Sequence, residues 1–213
     1  MQRYIAIEGA IGAGKTTLAR RLAAHFGAEL QLEKPAENPF LARFYREPVR
    51  YALATQMTFL FERVDQCRAA LQTGLFNQRR VADFMFEKDA LFAKITLSDS
   101  EFALYSQLFD HLQPQAAVPD CVIYLRAEVP LLQARIAQRG IEMEEAITDA
   151  YLQRLNAAYA AFFAQYSAAP VISIDAARFS PATDESHFKQ LLQAWRFCRY
   201  FRARAAEIGR AHV

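Results

Sequence analysis

The chain alternates short apolar runs with longer stretches in which apolar residues recur at helical spacing. The apolar runs predict β-strands over residues 3–8, 29–33, 80–84, 120–125 and 170–175. The longer stretches predict helices over residues 16–26, 48–73, 87–112, 131–138, 150–166 and 185–204, with a break in the third of these near 96–100. Strands that alternate with helices in this way indicate a parallel sheet with helices on both faces. We therefore predict a three-layer αβα fold with a five-stranded parallel sheet.

The first predicted strand runs directly into a glycine-rich loop. Gly9, four further residues and then Gly14-Lys15-Thr16 satisfy the GxxxxGK[ST] pattern between a strand and a helix, which is the context that the pattern requires. Backbone N–H groups of such a loop cradle an anion at a helix N-terminus, Lys15 adds a positive charge, and Thr16 offers a hydroxyl to a magnesium ion. The alternative is a glycine-rich turn that only caps the helix. The predicted phosphate-binding residues are Gly9, Ala10, Ile11, Gly12, Ala13, Gly14, Lys15, Thr16 and Thr17.

Length and composition narrow the class of protein. At 213 residues, 53% of them hydrophobic and 23% charged, the chain suits one globular domain over residues 1–213. No apolar run approaches the roughly 20 residues of a membrane span and no signal-peptide pattern is visible, so we expect a cytoplasmic protein with no membrane partner. A net charge of +2 is too small to indicate nucleic acid as a partner. Cys67, Cys121 and Cys198 are widely spaced in apolar surroundings, which favours reduced, buried thiols.

One basic cluster lies near the C-terminus, where aromatic residues are interleaved with arginines. The arginines of this cluster are Arg196, Arg199, Arg202, Arg204 and Arg210. We expect a basic amphipathic helix over about 185–204 that packs on the body of the protein or on a partner subunit. The alternative is a tail that binds anions or nucleic acid.

A charged bend follows the fourth predicted strand. Arg135 and Arg139 lie four residues apart on one helical face, Gly140 comes next, and an acidic run occupies 142–145. Small kinases cover the phosphates with an arginine-bearing lid of this kind, which neutralises charge on the transferred phosphoryl group. With a phosphate loop in the same chain, we predict such a lid at about 135–147. The alternative is a solvated helix whose arginines pair with the neighbouring glutamates.

Glu33 stands at the end of the second predicted strand, before a turn at 34–39 that contains two prolines. The carboxyl ends of parallel strands are where open α/β sheets place their chemistry. A carboxylate aimed from there at the phosphate loop can accept a hydroxyl proton from a phosphoryl acceptor. The alternative is an ordinary surface glutamate. A GTPase is not indicated, because no guanine-reading Asn-Lys-x-Asp motif follows a strand.

Over about residues 1–175, the order and spacing of these features resemble the deoxynucleoside kinase family, and the segment after the second strand resembles its bacterial members. The first strand and phosphate loop contribute Glu8-Gly9-x-Ile11-x-Ala13-Gly14-Lys15-x-Thr17. The other residues that carry the resemblance are Glu33, Glu37-Asn38-Pro39-Phe40-Leu41, Phe44-Tyr45, Pro48, Gln56, Arg63, Asp83, Asp89, Arg135, Arg139-Gly140, Glu144 and Tyr151-Leu152.

The resemblance implies an ATP- and Mg²⁺-dependent kinase that phosphorylates the 5′-hydroxyl of a deoxynucleoside. Carried over residue by residue, it makes Glu33 the general base and places Thr16 and Asp83 at the magnesium ion. Lys15, Arg135 and Arg139 would stabilise the phosphates during transfer. The residues implied in nucleoside binding are Glu33, Tyr45 and Glu144 at the sugar and Gln56, Arg63 and Asp89 at the base. An arginine and an aspartate in the base pocket are typical of the family's purine and deoxycytidine branch, and family members are usually homodimers.

Three positions depart from the family pattern. Asp83 is followed by Phe84, where the family carries an arginine that supports the 5′-hydroxyl and the phosphates. In the lid, Ile141 replaces the second arginine of an Arg-Gly-Arg motif, and Lys34 stands where a proline usually follows the catalytic glutamate. The candidates for a replacing cation are Lys34, Lys88 and Arg79, and Phe92 is one candidate for the aromatic ring that stacks on the base.

These departures leave two other functions open. The chain could be a nucleotide-binding sensor with little or no transfer activity, because each lost cation lowers transition-state stabilisation. It could also be a kinase of the same chemistry that acts on another small alcohol or on a nucleoside monophosphate.

Overall fold

The structure is a computed structural model, and it describes residues 4–72, 79–112 and 118–195. Over these ranges the strands are β1 (Tyr4–Gly9), β2 (Glu29–Gln31), β3 (Arg80–Ala82), β4 (Cys121–Arg126) and β5 (Val171–Asp175). The α-helices are α1 (Lys15–Phe26), α2 (Leu41–Arg46), α3 (Pro48–Gln72), α4 (Lys88–Thr96), α5 (Asp99–Leu112), α6 (Val129–Arg139), α7 (Asp149–Gln165) and α8 (185–195). Short 3-10 helices occupy Pro35–Glu37 and Glu142–Glu144.

The five strands form one parallel sheet in the order β2-β3-β1-β4-β5, which confirms the predicted sheet. The central strand β1 leads into the glycine-rich loop, and β3 and β4 flank it. Because all the strands point the same way, the residues that follow β1, β2 and β3 emerge at one edge of the sheet. The topology therefore brings the glycine-rich loop, Glu33 and Asp83 together.

Both faces of the sheet are buried, as the three-layer prediction requires. Ile5 and Ile7 of β1 pack into one large apolar cluster together with Leu18 of α1. Ala6, which points to the opposite face, packs into a second cluster with Val122. Successive side chains of a strand alternate between faces, so a central strand with no exposed face reads as continuously apolar.

Two strands end earlier than the sequence suggested. β2 ends at Gln31 rather than at Glu33, and β3 ends at Ala82 rather than at Phe84. The predicted ends were wrong because the next backbone N–H groups donate to side-chain carboxylates and not to carbonyl oxygens of the neighbouring strand. The Glu33 N–H donates to Oδ1 of Asp83 at 2.8 Å, and the Met85 N–H donates to Oε1 of Glu8 at 2.7 Å.

The predicted break between the fourth and fifth helices is confirmed. Helix α4 ends at Thr96, and α5 begins at Asp99. Ser98 and Glu101 form a capping box: the Glu101 N–H donates to Oγ of Ser98, and the Glu101 carboxylate accepts from the Ser98 N–H at 2.9 Å. This reciprocal pair satisfies backbone donors at the start of α5, which fixes the position of the break.

The described part of the last helix packs on the body of the protein. Trp195 lies with its ring centroid 4.7 Å from that of Phe26, and Leu191 is buried. Four predicted features lie outside the described residues. They are the arginine cluster at 196–210, the end of the helix predicted to reach 204, Cys198, and the end of the helix predicted to reach 73. Of the other two cysteines, Cys121 is buried as expected, whereas Cys67 is only half-buried.

None of the helices in the described ranges combines the length and the apolar character that a bilayer-spanning segment needs. The assignment of the whole chain to one domain stays a prediction.

Helix α3 offers a matched test of core packing. Val64 is 1% exposed and packs with Leu60 against Tyr105 of α5, whereas Val49 on the same helix is 93% exposed. We expect Val64→Ala to lower the free energy of unfolding by about 2 kcal/mol, because it removes buried methyl groups and leaves a cavity. Val49→Ala should change it by less than about 0.5 kcal/mol. Urea unfolding followed by circular dichroism measures both values, and equal losses for the two variants would contradict the packing described here.

Candidate active site

The glycine-rich loop is packed so closely that only glycine fits at two of its positions. Gly9 has φ +147°, and a Cβ there would lie 2.4 Å from the carbonyl oxygen of Leu125 in β4. Gly12 has φ +83°, and a Cβ there would lie 2.9 Å from the carbonyl oxygen of Leu132 in α6. Both backbone conformations are rare for residues with a side chain. The loop is therefore held against β4 and α6.

Lys15 folds back over this loop from the first position of α1. Its Nζ donates to the carbonyl oxygens of Gly9 at 2.8 Å and Ala10 at 3.0 Å. Burial lowers the pKa of Lys15 to about 8, and repulsion from the ammonium of Lys88 is the second largest cause. An anion in the loop would relieve both effects, since it would neutralise the crowded positive charge.

A cavity of about 480 Å³ opens beside the loop. Such a volume lies in the range of small-molecule binding sites. It is lined by loop and α1 residues 12–18, by Arg135, Gln138 and Arg139 of α6, by Leu125 of β4, and by residue 176 and residues 179–183 after β5. Gly9 and Ala10 of the predicted phosphate-binding set line neither this cavity nor the one described below, and they contribute carbonyl oxygens to Lys15 instead.

The two arginines of the predicted lid have different partners. Arg135 donates to the carbonyl oxygens of Ala13 at 3.0 Å and Ala176 at 3.2 Å, so it ties the loop to the segment after β5. Arg139 forms an ion pair with Glu144 at 2.6 Å. Burial raises the pKa of the Glu144 carboxyl, and Arg139 partly offsets that effect. The alternative in which both arginines pair with neighbouring glutamates thus holds for Arg139 alone.

Thr16 and Asp83, the two predicted metal ligands, are in direct contact. The Thr16 hydroxyl donates to Oδ2 of Asp83 at 2.6 Å, and Oδ1 accepts from the backbone N–H of Glu33. Within the described ranges no group of three or more His, Cys, Asp and Glu side chains could hold a metal ion. An all-protein metal cage is therefore absent from the described residues, whereas magnesium commonly binds one or two carboxylates together with substrate phosphates.

A second cavity, of about 110 Å³, adjoins the first. It contains all six residues predicted to bind substrate: Glu33, Tyr45, Gln56, Arg63, Asp89 and Glu144. The residues that line both cavities are Gly12, Lys15, Thr16 and Arg139. A molecule in one cavity would therefore meet a molecule in the other at the loop lysine.

Glu33 lines the smaller cavity and lies between two cations. Its Oε1 pairs with the guanidinium of Arg63, and its Oε2 accepts from Nζ of Lys88 at 2.7 Å. Burial raises the pKa of the Glu33 carboxyl, but the charges of Lys88, Arg63 and Lys15 outweigh burial and bring the pKa down to about 2. Glu33 is therefore an ionised carboxylate near neutral pH.

Polar side chains line the cavity beyond Glu33. Arg63 also pairs with Asp89, and both residues are buried. Gln56 lies two helical turns before Arg63 on α3 and is 2% exposed. Buried polar groups are normally satisfied by partners. An amide, a guanidinium and a carboxylate in one wall can read the donor and acceptor edge of a flat heterocycle.

Aromatic rings form much of the remaining wall. Tyr45 of α2 and Tyr151 of α7 lie with ring centroids 6.4 Å apart, and both line the cavity. Phe92 of α4, the predicted stacking residue, also lines it, and so do Phe44 and Phe59. Rings of this kind stack on planar ligands, but the structure offers several candidates and does not single out Phe92.

The sequence alone did not single out Glu8 and Lys88 as important residues of the site. Glu8 accepts hydrogen bonds from the N–H of Gly9 at 3.2 Å, the N–H of Met85 at 2.7 Å and the hydroxyl of Tyr159 at 2.8 Å. Lys88, considered only as one possible replacement cation, pairs with Glu33. A signal was available for Lys88, because a lysine at the first position of a helix opposes the helix dipole.

Comparisons with known proteins identify the same family that the sequence motifs resemble. A family model for deoxynucleoside kinase matches residues 5–198. A deoxyguanosine kinase of Bacillus subtilis (strain 168) is 36% identical over 157 residues, which cover 73% of this chain and 76% of that protein. A deoxyadenosine/deoxycytidine kinase of the same organism is 29% identical over 196 residues, which cover 88% of this chain and 89% of that protein.

Among solved structures, the deoxyadenosine kinase from M. mycoides with bound dCTP superposes with a TM-score of 0.77 at 24% identity. The match covers 91% of this chain and 98% of that chain, so the fold is shared over nearly its whole length. The family match spans most of the sequence, and the B. subtilis deoxyguanosine kinase exceeds 30% identity over about three-quarters of both chains. The chain belongs to the deoxynucleoside kinase family.

Proposed function

We propose that the protein transfers the γ-phosphoryl group of ATP to the 5′-hydroxyl of a deoxynucleoside. One observation carries this proposal: a phosphate-loop cavity and a second cavity that contains a carboxylate meet at Gly12, Lys15, Thr16 and Arg139. A donor phosphate and an acceptor hydroxyl must meet in this way for direct transfer. The protein's membership of the deoxynucleoside kinase family supports the same reaction.

The larger cavity is the proposed ATP site. The loop amides and Lys15 would hold the β- and γ-phosphates, and Arg135, which is fixed to the loop carbonyl of Ala13, would contribute positive charge beside them. Arg139 reaches both cavities and would neutralise charge on the group in transit once its pair with Glu144 loosens. The triphosphate would thus bring its negative charge to a cluster of cations.

The contact between Thr16 and Asp83 suits a magnesium ion that accompanies ATP. Both side chains present oxygen atoms, which hard divalent cations prefer, and both line the smaller cavity, while Thr16 also lines the larger one. Asp83 would act directly or through a water molecule. When bound, the ion supplies neutralisation of phosphate charge.

Glu33 is the proposed general base at the acceptor. With a pKa of about 2 it is ionised at neutral pH, so it can orient the hydroxyl and take its proton. A low pKa limits its strength as a base, but phosphoryl transfer depends mostly on positioning and charge stabilisation. The proton leaves the hydroxyl as the new oxygen–phosphorus bond forms.

The far wall of the smaller cavity is the proposed nucleoside-binding surface. Gln56, Arg63 and Asp89 would hydrogen-bond the base, while Tyr45 and Glu144 would hold the 3′-hydroxyl. The donors and acceptors of the first three suit a purine deoxynucleoside or deoxycytidine. Relatives named deoxyguanosine kinase and deoxyadenosine/deoxycytidine kinase support this range of substrates.

We further propose a cytoplasmic homodimer. Phe61 of α3 is 48% exposed and Leu104 of α5 is 50% exposed, although both are large and apolar. Helices α3 and α5 pack against each other, so a partner subunit could cover both side chains. The cytoplasm is where ATP is available as the donor.

Replacing Glu33 tests the general base. We expect Glu33→Gln to lower kcat by at least about 10²-fold, because the amide cannot accept the hydroxyl proton. ATP affinity should change by less than about threefold, because Glu33 does not line the larger cavity. ADP release measures turnover, and isothermal titration with a non-hydrolysable ATP analogue measures donor binding.

Glu37→Gln is the matched control. Glu37 lies four residues further along the chain, is exposed and pairs with Lys34, so its replacement should leave both values unchanged. A Glu33→Gln variant that retained full turnover would remove Glu33 from the chemistry.

Replacing Gln56 tests base recognition. We expect Gln56→Leu to raise KM for the preferred deoxynucleoside by about tenfold, because hydrogen bonds to the base edge are lost with only a small change in side-chain volume. Preference among the four natural deoxynucleosides should flatten. Gln153→Leu, at an exposed position of α7, is the control. If kcat/KM for all four substrates kept its wild-type ratios in the Gln56 variant, Gln56 would not read the base.

A further inference from the structure

Lys88 holds a buried ammonium group at the acceptor end of the site. It is the first residue of α4 and is 6% exposed, and its Nζ lies 2.7 Å from Oε2 of Glu33. A buried charge is costly unless a partner compensates it. Arg63 pairs with the other oxygen of Glu33 and also with Asp89, so Lys88 completes a group of two cations and two carboxylates that loses its charge balance once Glu33 takes up a proton.

The ammonium of Lys88 is also close enough to Lys15 to lower the pKa of that side chain. Each of these lysines is the first residue of a helix, where the helix dipole disfavours a cation. Two like charges at two helix N-termini are unfavourable in the absence of an anion and favourable around one. Unfavourable placements of charge, such as these two lysines at helix N-termini, are expected where a protein binds a ligand.

Of the three candidate replacement cations, Lys88 alone lines the cavity. Lys34 follows Glu33 directly in the chain, but its side chain is 60% exposed and pairs with Glu37. Arg79 donates to the carbonyl oxygen of Phe26 at the end of α1. Phe84, at the position where the family carries an arginine, is buried against the Arg63 guanidinium.

We propose that Lys88 is a catalytic residue that binds the acceptor oxygen and the phosphoryl group in transit. This inference rests on the proposed function. In the transfer, the bond between the 5′-oxygen and the γ-phosphorus forms, and the bond from that phosphorus to the β–γ bridging oxygen breaks. The hydroxyl proton passes to Oε2 of Glu33, and ADP leaves with the electron pair. Protonation neutralises Glu33, and the ammonium of Lys88 then pairs with the oxygens of the transferred group.

A kinetic comparison of methionine variants tests the role in transfer. We expect Lys88→Met to lower kcat by about 10²- to 10³-fold, because one charge that faces the transition state is removed. The Kd for the deoxynucleoside should change by less than about threefold, since Arg63 still pairs with Glu33. Lys88→Arg should recover at least about a tenth of the wild-type kcat, because it keeps the charge. Lys94→Met, at an exposed position of α4, and Lys34→Met should both retain wild-type kcat.

A binding measurement separates this role from a structural one and does not need turnover. For Lys88→Met, calorimetry should show at least about tenfold weaker binding of the deoxynucleoside 5′-monophosphate than for wild type, with nucleoside binding little changed. Equal weakening of both ligands together with a lowered Tm would mean that Lys88 only supports the fold of the site, and the inference would be wrong. Full kcat in Lys88→Met, or a loss of rate in Lys34→Met instead, would overturn it as well.

A failure of the proposed function would give a different result from a failure of the role proposed for Lys88. Wild-type protein that releases no ADP with any deoxynucleoside would contradict the proposed reaction itself. In that case the ratio of monophosphate to nucleoside binding in Lys88→Met still decides whether Lys88 holds the phosphoryl group. An unchanged ratio would overturn the role of Lys88, and a ratio that changes by tenfold would support it.

Discussion

Glu33 is a carboxylate held between two buried cations, and the acceptor side of the site depends on this interaction. Arg63 links Glu33 to Asp89, so α3 and α4 are joined through charge at the cavity wall. Lys88 approaches the other oxygen of Glu33 from the start of α4. Two carboxylates and two cations balance one another, which makes burial of all four acceptable. The same arrangement fixes the position of the Glu33 carboxylate in the wall of the smaller cavity.

A second buried carboxylate, Glu8, joins the donor side to the acceptor side. It lies in the central strand and accepts from the first N–H of the phosphate loop, from Met85 beyond β3 and from Tyr159 of α7. Burial raises the pKa of Glu8, while Lys88 and Lys15 oppose that effect. The loop that would hold ATP and the segment that carries Asp83 are thus anchored to one side chain.

The order of strands and helices could be predicted because each element carries its own periodicity. The phosphate loop could be predicted because its glycines must meet a local requirement, here the close approach of Gly9 to β4. The ends of β2 and β3 could not be predicted, since Asp83 and Glu8 accept hydrogen bonds from the backbone N–H groups of Glu33 and Met85, which lie 50 and 77 positions away along the chain. Sequence spacing does not report such contacts.

The candidate site shows the same limit. A known family pattern was enough to select six residues that share one cavity, and their part in substrate binding stays a prediction. The partner of each charge was not predictable, because Arg135 binds backbone carbonyls and Arg139 binds Glu144, although both lie on one helical face. Lys88 was no stronger a candidate than Lys34 until the fold placed one beside Glu33 and the other in solvent.

The proposed acceptor is the 5′-hydroxyl of a deoxynucleoside, placed by the smaller cavity against the phosphate loop. Phosphorus NMR of the products formed from Mg-ATP and each natural deoxynucleoside tests it most directly, with a 5′-deoxy analogue as the matched control. This assignment of the acceptor predicts a deoxynucleoside 5′-monophosphate and ADP in equal amounts from at least one purine deoxynucleoside or from deoxycytidine, and no product from the analogue. Phosphorylation of the analogue, or no transfer to any deoxynucleoside, would contradict it.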